Sequence, residues 1–180
     1  MVPDEELLGV VVHSGVMLAR SQDVVAALRR ITAFPTGLAL DAVVVARAVH
    51  AEAAARRERE ATIHREAEAA ERQDRLRRRV VMEQRHLPRF EEGDRLRIAV
   101  APPAAEPRWL DAYRSSTAST QGRYRLEASY WVTPLPADGL LTLVCAWPEI
   151  GLPEALTDLT LPELAVRAGA TRSLWNAEDL

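Results

Sequence analysis

The chain has 180 residues, 48% of them apolar, with 23 basic against 26 acidic residues and a net charge of −3. Every basic residue is arginine; there is no lysine. The near balance excludes a bulk polycation, and no run approaches the roughly 20 apolar residues of a membrane-spanning helix. The opening Met1-Val2-Pro3-Asp4-Glu5-Glu6 is acidic and unlike a secretory signal, and the lone Cys145 can form no internal disulfide. These features lead us to expect a cytoplasmic protein without membrane insertion, and the length fits one domain or one domain with an appendage.

Along the chain, Gly9–His13 reads as a short buried strand and Val16–Ala19 as its continuation, with Gly15 suited to a bend or bulge between them. Residues 22–31 fit either a helix capped by Ser21 or Asp23 or a strand. Phe34-Pro35-Thr36-Gly37 is a turn signal, and the aliphatic run Leu38–Ala46 follows it. Two apolar runs around such a turn read as a hairpin, which favours strand for the earlier run.

Residues 48–87 contain neither Gly nor Pro and are rich in Ala, Arg and Glu, so they read as one long helix of roughly 60 Å. Opposite charges recur at helical spacing, as in Glu52 and Arg56. The heptad seam through Ala48, Ala55, Thr62, Ala69 and Leu76 is too thin for a stable two-stranded coiled coil. The first part therefore reads as a solvated arm, and Leu76, Val80, Val81 and Leu87 as a segment able to dock.

The remaining stretch, 93–180, holds all four tryptophans and all three tyrosines, and the densest core is expected there. Arg95–Val100 alternates as a half-buried strand. Residues 101–122 read as loop, with a helical turn at Trp109–Tyr113. Arg123–Val132 and Leu140–Trp147 read as a hairpin around Pro134–Gly139. Thr160-Leu161-Pro162-Glu163 has the pattern of a capping box, with a helix continuing to about Trp175, weakened by Gly169.

Several strands, two hairpins and no alternating strand–helix rhythm predict a mainly β protein with α additions. The expected architecture is an antiparallel β-sandwich, Ig-like or jelly-roll-like, with a long inserted Arg/Glu helix and a C-terminal helix. Residues 1–47 and 93–180 would form one discontinuous sandwich domain, and 48–92 the helical insertion.

The segment Leu18–Leu28 leading to Phe34-Pro35-Thr36-Gly37, together with Tyr130–Pro136 and Leu143-Val144-Cys145-Ala146-Trp147-Pro148-Glu149-Ile150-Gly151-Leu152-Pro153-Glu154, resembles a set of uncharacterised actinobacterial, Streptomyces-like proteins. Those proteins carry an "LARTDDVxVAL…YPTGF…FVCEWPxLGIPE" pattern. The resemblance covers roughly 75 residues at the two ends and implies a β-sandwich-like fold in a bacterial intracellular protein. It implies no activity, and the charged middle departs from the shorter connection found in that set.

No catalytic, cofactor or metal residues are expected, and the chain leans away from being an enzyme. Cys145 sits in a core-strand context, where a thiol is an inert small hydrophobe. His50-Ala51-Glu52 mimics the H-x-E of zinc deaminases but lacks the P-C-x-x-C that completes their site. Glu83-Gln84-Arg85-His86 is a single E-x-x-H where a di-iron bundle needs two. Glu60, His64 and Glu68 share a helix face that could hold a metal only loosely. His13 and Ser14 are sequence neighbours, which a strand sends to opposite faces.

The strongest charge signal is Arg72-Gln73-Asp74-Arg75-Leu76-Arg77-Arg78-Arg79. Arg72, Arg75, Arg77, Arg78, Arg79 and Arg85 are the candidate partner-binding residues, because guanidinium forks suit carboxylate and phosphate. Upstream glutamates neutralise the same helix, and no aromatic is interleaved for base stacking. A protein partner or self-association is therefore favoured over nucleic acid. The sequence reads as a non-enzymatic interaction or structural protein, with nucleic-acid association as the alternative and an enzyme with a site assembled only in three dimensions as the third reading.

Overall fold

The structure, a computed structural model, describes residues 3–77, 96–102 and 106–175, with the side chains of 72–77 outside that description. Leu7–Leu8 (β1) leads into Val10–Arg20 (β2), Val24–Phe34 (β3) and Gly37–Arg47 (β4). The segment left open between helix and strand is thus strand. β3 and β4 form the expected hairpin, in register from Phe34 opposite Gly37 to Val24 opposite Ala46. Gly15, inside β2, takes a positive φ of 71°, which an L side chain would resist. Gly37 has a different reason to be glycine. A Cβ there would lie 2.6 Å from the Trp131 ring and collide with the Val132 carbonyl.

After α1 (Ala48–Arg77) come Arg97–Val100 (β5), Arg108–Leu110 (β6), Ala112–Thr120 (β7), Arg123–Val132 (β8) and Leu140–Trp147 (β9). A 3-10 turn at Pro148–Ile150 precedes Leu152–Thr160 (β10), Leu164–Gly169 (α2) and Arg172–Ser173 (β11). Three expectations fail in this half. Residues 108–120, read as loop with a helical turn at Trp109, are two strands. The Arg97 guanidinium stacks 3.7 Å from the Trp109 ring centre, which holds β6 beside β5. The β8–β9 hairpin does not form: β8 pairs with β4 and β7, and β9 with β5 and β10. The link containing Pro134 and Pro136 carries the chain from one sheet to the other.

The C-terminal helix is also shorter than expected, six residues rather than about a dozen. Thr160 is taken up by strand β10, and Glu163 adopts a left-handed φ of 57°, so the capping box does not form. Helix α2 ends at Gly169, and β11 turns back to pair with β1.

The result is mainly β. One antiparallel sheet has the order β2-β3-β4-β8-β7, another β10-β9-β5-β6, and β1–β11 form a separate pair. Alternate residues of both larger sheets meet in one hydrophobic cluster. Leu28, Ile31, Leu38, Leu40, Ile98, Leu143, Trp147 and Leu152 are among its fully buried large members. The Tyr124 and Trp147 rings meet edge to face at 6.1 Å within it. A smaller cluster of Phe34, Ala39 and Trp131 lies on the other side of the five-stranded sheet. It joins the Phe34–Gly37 turn to the end of β8, and the Thr133 hydroxyl donates to the Thr36 carbonyl at 2.9 Å across the same junction.

The helix differs from the projecting arm expected from residue 48 onward. It is described over 30 residues, shorter than the expected 48–87; residues 78–87 lie outside the described residues. Its first turns are solvated on one face only. Ala51, Ala54 and Ala61 are buried, and α1 packs on β4, β8 and the 3-10 turn. Small side chains let the helix axis approach the sheet closely, a use of alanine that heptad counting overlooks. Among the described side chains, Glu58 with Arg65 (3.1 Å) and Arg57 with Glu60 (3.5 Å) form ion pairs along it.

Because Ala54 is fully buried against the body, Ala54→Leu should overpack the seat of the helix and lower stability by about 1–3 kcal/mol. Leucine at the neighbouring exposed Glu52 should change it by less than about 0.5 kcal/mol. Urea unfolding midpoints of the two variants test this difference.

Candidate functional site

The groups singled out for chemistry are kept apart. Cys145 is fully buried on β9 between Ile98 and Ala155 of the flanking strands, and burial pushes its thiol up to about 12. The Nδ1 of His13 faces the Ser14 main-chain carbonyl at 3.2 Å, not the hydroxyl. His50 packs beside Gly151, and the His64 ring lies 3.3 Å from Glu68. Among the described residues no group of three or more His, Cys, Asp or Glu could hold a metal ion, so Glu60, His64 and Glu68 do not make such a site. Glu83 and His86 lie outside the described residues.

Of the partner-binding candidates, Arg72, Arg75 and Arg77 belong to the last turns of α1 as backbone only. Their side chains, and Arg78, Arg79 and Arg85 entirely, lie outside the described residues. The described residues instead concentrate arginine elsewhere, on the outer face of the five-stranded sheet.

That face is built by strand alternation, interrupted at Arg29. Between β3 and β4 the register shifts, so Leu28 and Arg30 oppose the adjacent residues Ala42 and Asp41. Arg29 is the extra residue of a β-bulge, and both Arg29 and Arg30 emerge exposed. Across the sheet, Arg114 of β7 lies opposite Ser129 of β8, Ser129 opposite Asp41 of β4, and Asp41 opposite Arg30 of β3. The Arg30 guanidinium pairs with Asp41, which also accepts from the Ser129 hydroxyl at 2.7 Å. In the next row Glu127 accepts from Arg125 at 2.6 Å and from Arg29 at 3.2 Å. The Arg125 hydrogen bond, with the charges of Arg125, Arg29 and Arg114, holds the Glu127 carboxyl below its ordinary range. The Arg114 side chain makes no ion pair or hydrogen bond among the described residues. Arg29, Arg30 and Arg114 thus line, with Asp41 and Glu127, a depression of about 320 Å³, and Arg125 joins the same face through Glu127. No sequence motif marks this site, because its members come from four strands.

Beside this face runs the edge of β7. All nine of its residues are exposed, and among the described residues no strand pairs its outer side. The other sheet edges are blunted. β2 carries two register shifts, β10 a shift together with Pro153, and β6 is only three residues long. From Arg114 to Thr120 the β7 register is regular, without proline, and Arg114 carries its only charge. Its return into β8 is a two-residue Gln121-Gly122 turn, where Gly122 supplies a φ of 71°.

A second hollow, about 180 Å³, lies between α1 and the sheets. Leu96, Leu110, Leu126 and Trp147 line it, with the Glu58–Arg65 pair at its rim. Nearby, the buried Trp147 indole N–H and Tyr124 hydroxyl have no hydrogen-bond partner among the described residues. No helix among the described residues is long and apolar enough to cross a membrane. No protein-family description, curated protein or solved structure matches the chain.

The buried thiol yields a pH prediction. In the unfolded chain Cys145 ionises near 9.0, but in the fold it holds its proton to about 12. The unfolded state therefore binds fewer protons between these values, and stability must fall as pH rises through that window. Tyr124, whose phenol burial also raises, adds to the loss above pH 10. Cys145→Ala should reduce the drop in urea midpoint between pH 8 and pH 10.5. Native Cys145 should also react with a thiol reagent only at the rate of unfolding.

Proposed function

We propose that the chain is a non-enzymatic interaction protein whose body is a β-sandwich, Ig-like or jelly-roll-like, working in the cytoplasm. The observation that carries this reading is the open β7 edge: seven regular residues, Arg114–Thr120, exposed on both faces and free of the devices that blunt the other edges. Such an edge can take up an extended segment of another chain through main-chain hydrogen bonds. The burial of Cys145 and the separation of His13, on β2, from His50, at the start of α1, and His64, near its middle, support a role without catalysis. The junction of Phe34 with Trp131 supports kinship with the actinobacterial set, since it unites the two segments of that likeness.

The helix retains a smaller part in this reading. Its first turns are seated on the body, so a contact or oligomerisation surface on it would begin near Arg72. The nucleic-acid alternative rests on that same Arg72–Arg85 cluster and draws no support from the described side chains.

The edge can be tested with two adjacent proline substitutions. Successive residues of an edge strand turn their N–H groups alternately toward the neighbour and toward solvent. Of Ser116→Pro and Thr117→Pro, one therefore removes a bond to β8 and the other only a free N–H. Peptides selected on the full chain from a displayed random library should lose binding to whichever variant keeps the native unfolding midpoint. Selected peptides indifferent to that variant, or no selected peptides at all, would defeat the docking-edge reading.

A further inference from the structure

We infer that the segment added to β7 is an acidic extended peptide of a partner protein, its outward carboxylates received by Arg114 and the arginine-rich face behind it. This rests on β7 being the docking edge and specifies what docks there. A strand added to β7 would run about 4.8 Å from it, with every second side chain on the outer face. On that face β7 presents Arg114, Ser116 and Ala118, the residues opposite Ser129, Glu127 and Arg125. Arg114 is thus the charged group nearest the incoming strand, and it has no ion pair of its own among the described residues.

Charge selects the partner further. Asp41 is occupied by Arg30 and Ser129, and Glu127 by Arg125 and Arg29. The carboxylates of the face are therefore engaged, while guanidinium groups remain in excess. A basic segment would meet this excess as repulsion. An apolar segment would find no hydrophobic pocket, because the β7 surface consists of Arg114, serine, threonine and alanine beyond Tyr113. A carboxylate one or two positions along an added strand lies within reach of Arg114 and of the depression bounded by Arg29, Arg30 and Ser116. The Arg29 bulge matters here, because it turns two successive arginines of β3 to this one side.

Fluorescence anisotropy of the full chain with labelled peptides of alternating Thr-Glu, Thr-Gln and Thr-Lys separates the possibilities. The Thr-Glu peptide should bind, weaken at least about tenfold in Arg114→Gln, and weaken as salt is raised. Arg114 is exposed, so circular dichroism of Arg114→Gln should be native. Equal binding of Thr-Gln and Thr-Glu, with both lost in the natively folded proline variant, would overturn the acidic specificity and leave the docking edge standing. Thr-Glu binding that depends on Arg114 but survives the proline would overturn strand addition and leave only an anion site. Absence of Thr-Glu binding at millimolar peptide would overturn the inference itself. So would an oligothymidine that displaces the peptide through Arg114, since it would make nucleic acid the ligand.

Discussion

Ten consecutive residue pairs join β4 to β8, from Leu38 opposite Val132 to Arg47 opposite Arg123, without a register shift. This pairing ties the N-terminal hairpin to a segment some 80 residues later, and much of the molecule depends on it. On the inner face it aligns Leu40, Ala42 and Val44 with Tyr130, Ala128 and Leu126, all buried. On the outer face it sets Ala39 beside Trp131 and Asp41 beside Ser129. A slip of one residue would exchange these faces and expose the core, which is why register is strongly held wherever one face is buried. Closing so long a loop costs entropy that grows only slowly with its length, and the burial on the inner face offsets it.

The position of α1 follows from the same pairing. The chain leaves β4 at Arg47, turns through Ala48 at a left-handed φ of 50°, and bonds the Ala48 N–H to the Gly122 carbonyl at the β7–β8 turn. The helix therefore starts at the end of the sheet, and its buried alanines carry it along β8. What composition presents as a charged appendage is, in its first half, a lid on the core. Its arginines and glutamates face outward because its alanines face in.

The arginine-rich face and the β7 edge meet because two departures from regular pairing fall on one side of the sheet. The bulge at Arg29 turns an extra guanidinium outward, and the shift between Ala112 and Arg114 sets the register of the free edge. Neither departure lies in the helix that held the strongest charge signal. Charge density along a sequence measures neighbours in the chain, whereas a binding face depends on neighbours across strands.

Much of the strand content was legible from period and turn chemistry: the hairpin at Phe34–Gly37, the alternation of Arg123–Val132, the buried run of Leu140–Trp147, and the structural setting of Cys145. β7 was not, because Ser115–Thr120 carries no apolar alternation; it is a strand because β8 offers it a ladder. β8 and β9 are not partners: the turn signal at Pro134–Gly139 marks a reversal without saying which sheet receives the chain. The capping pattern at Thr160 gave way to strand pairing with Leu140. By itself, then, the sequence determined which segments could be strands and that one long stretch would be helical, because these are properties of local period and composition. Only the tertiary structure decided which strands pair, which side of the helix is buried, and that Arg29, Arg30, Arg114 and Arg125 share a surface, because each depends on contacts between residues far apart in the chain.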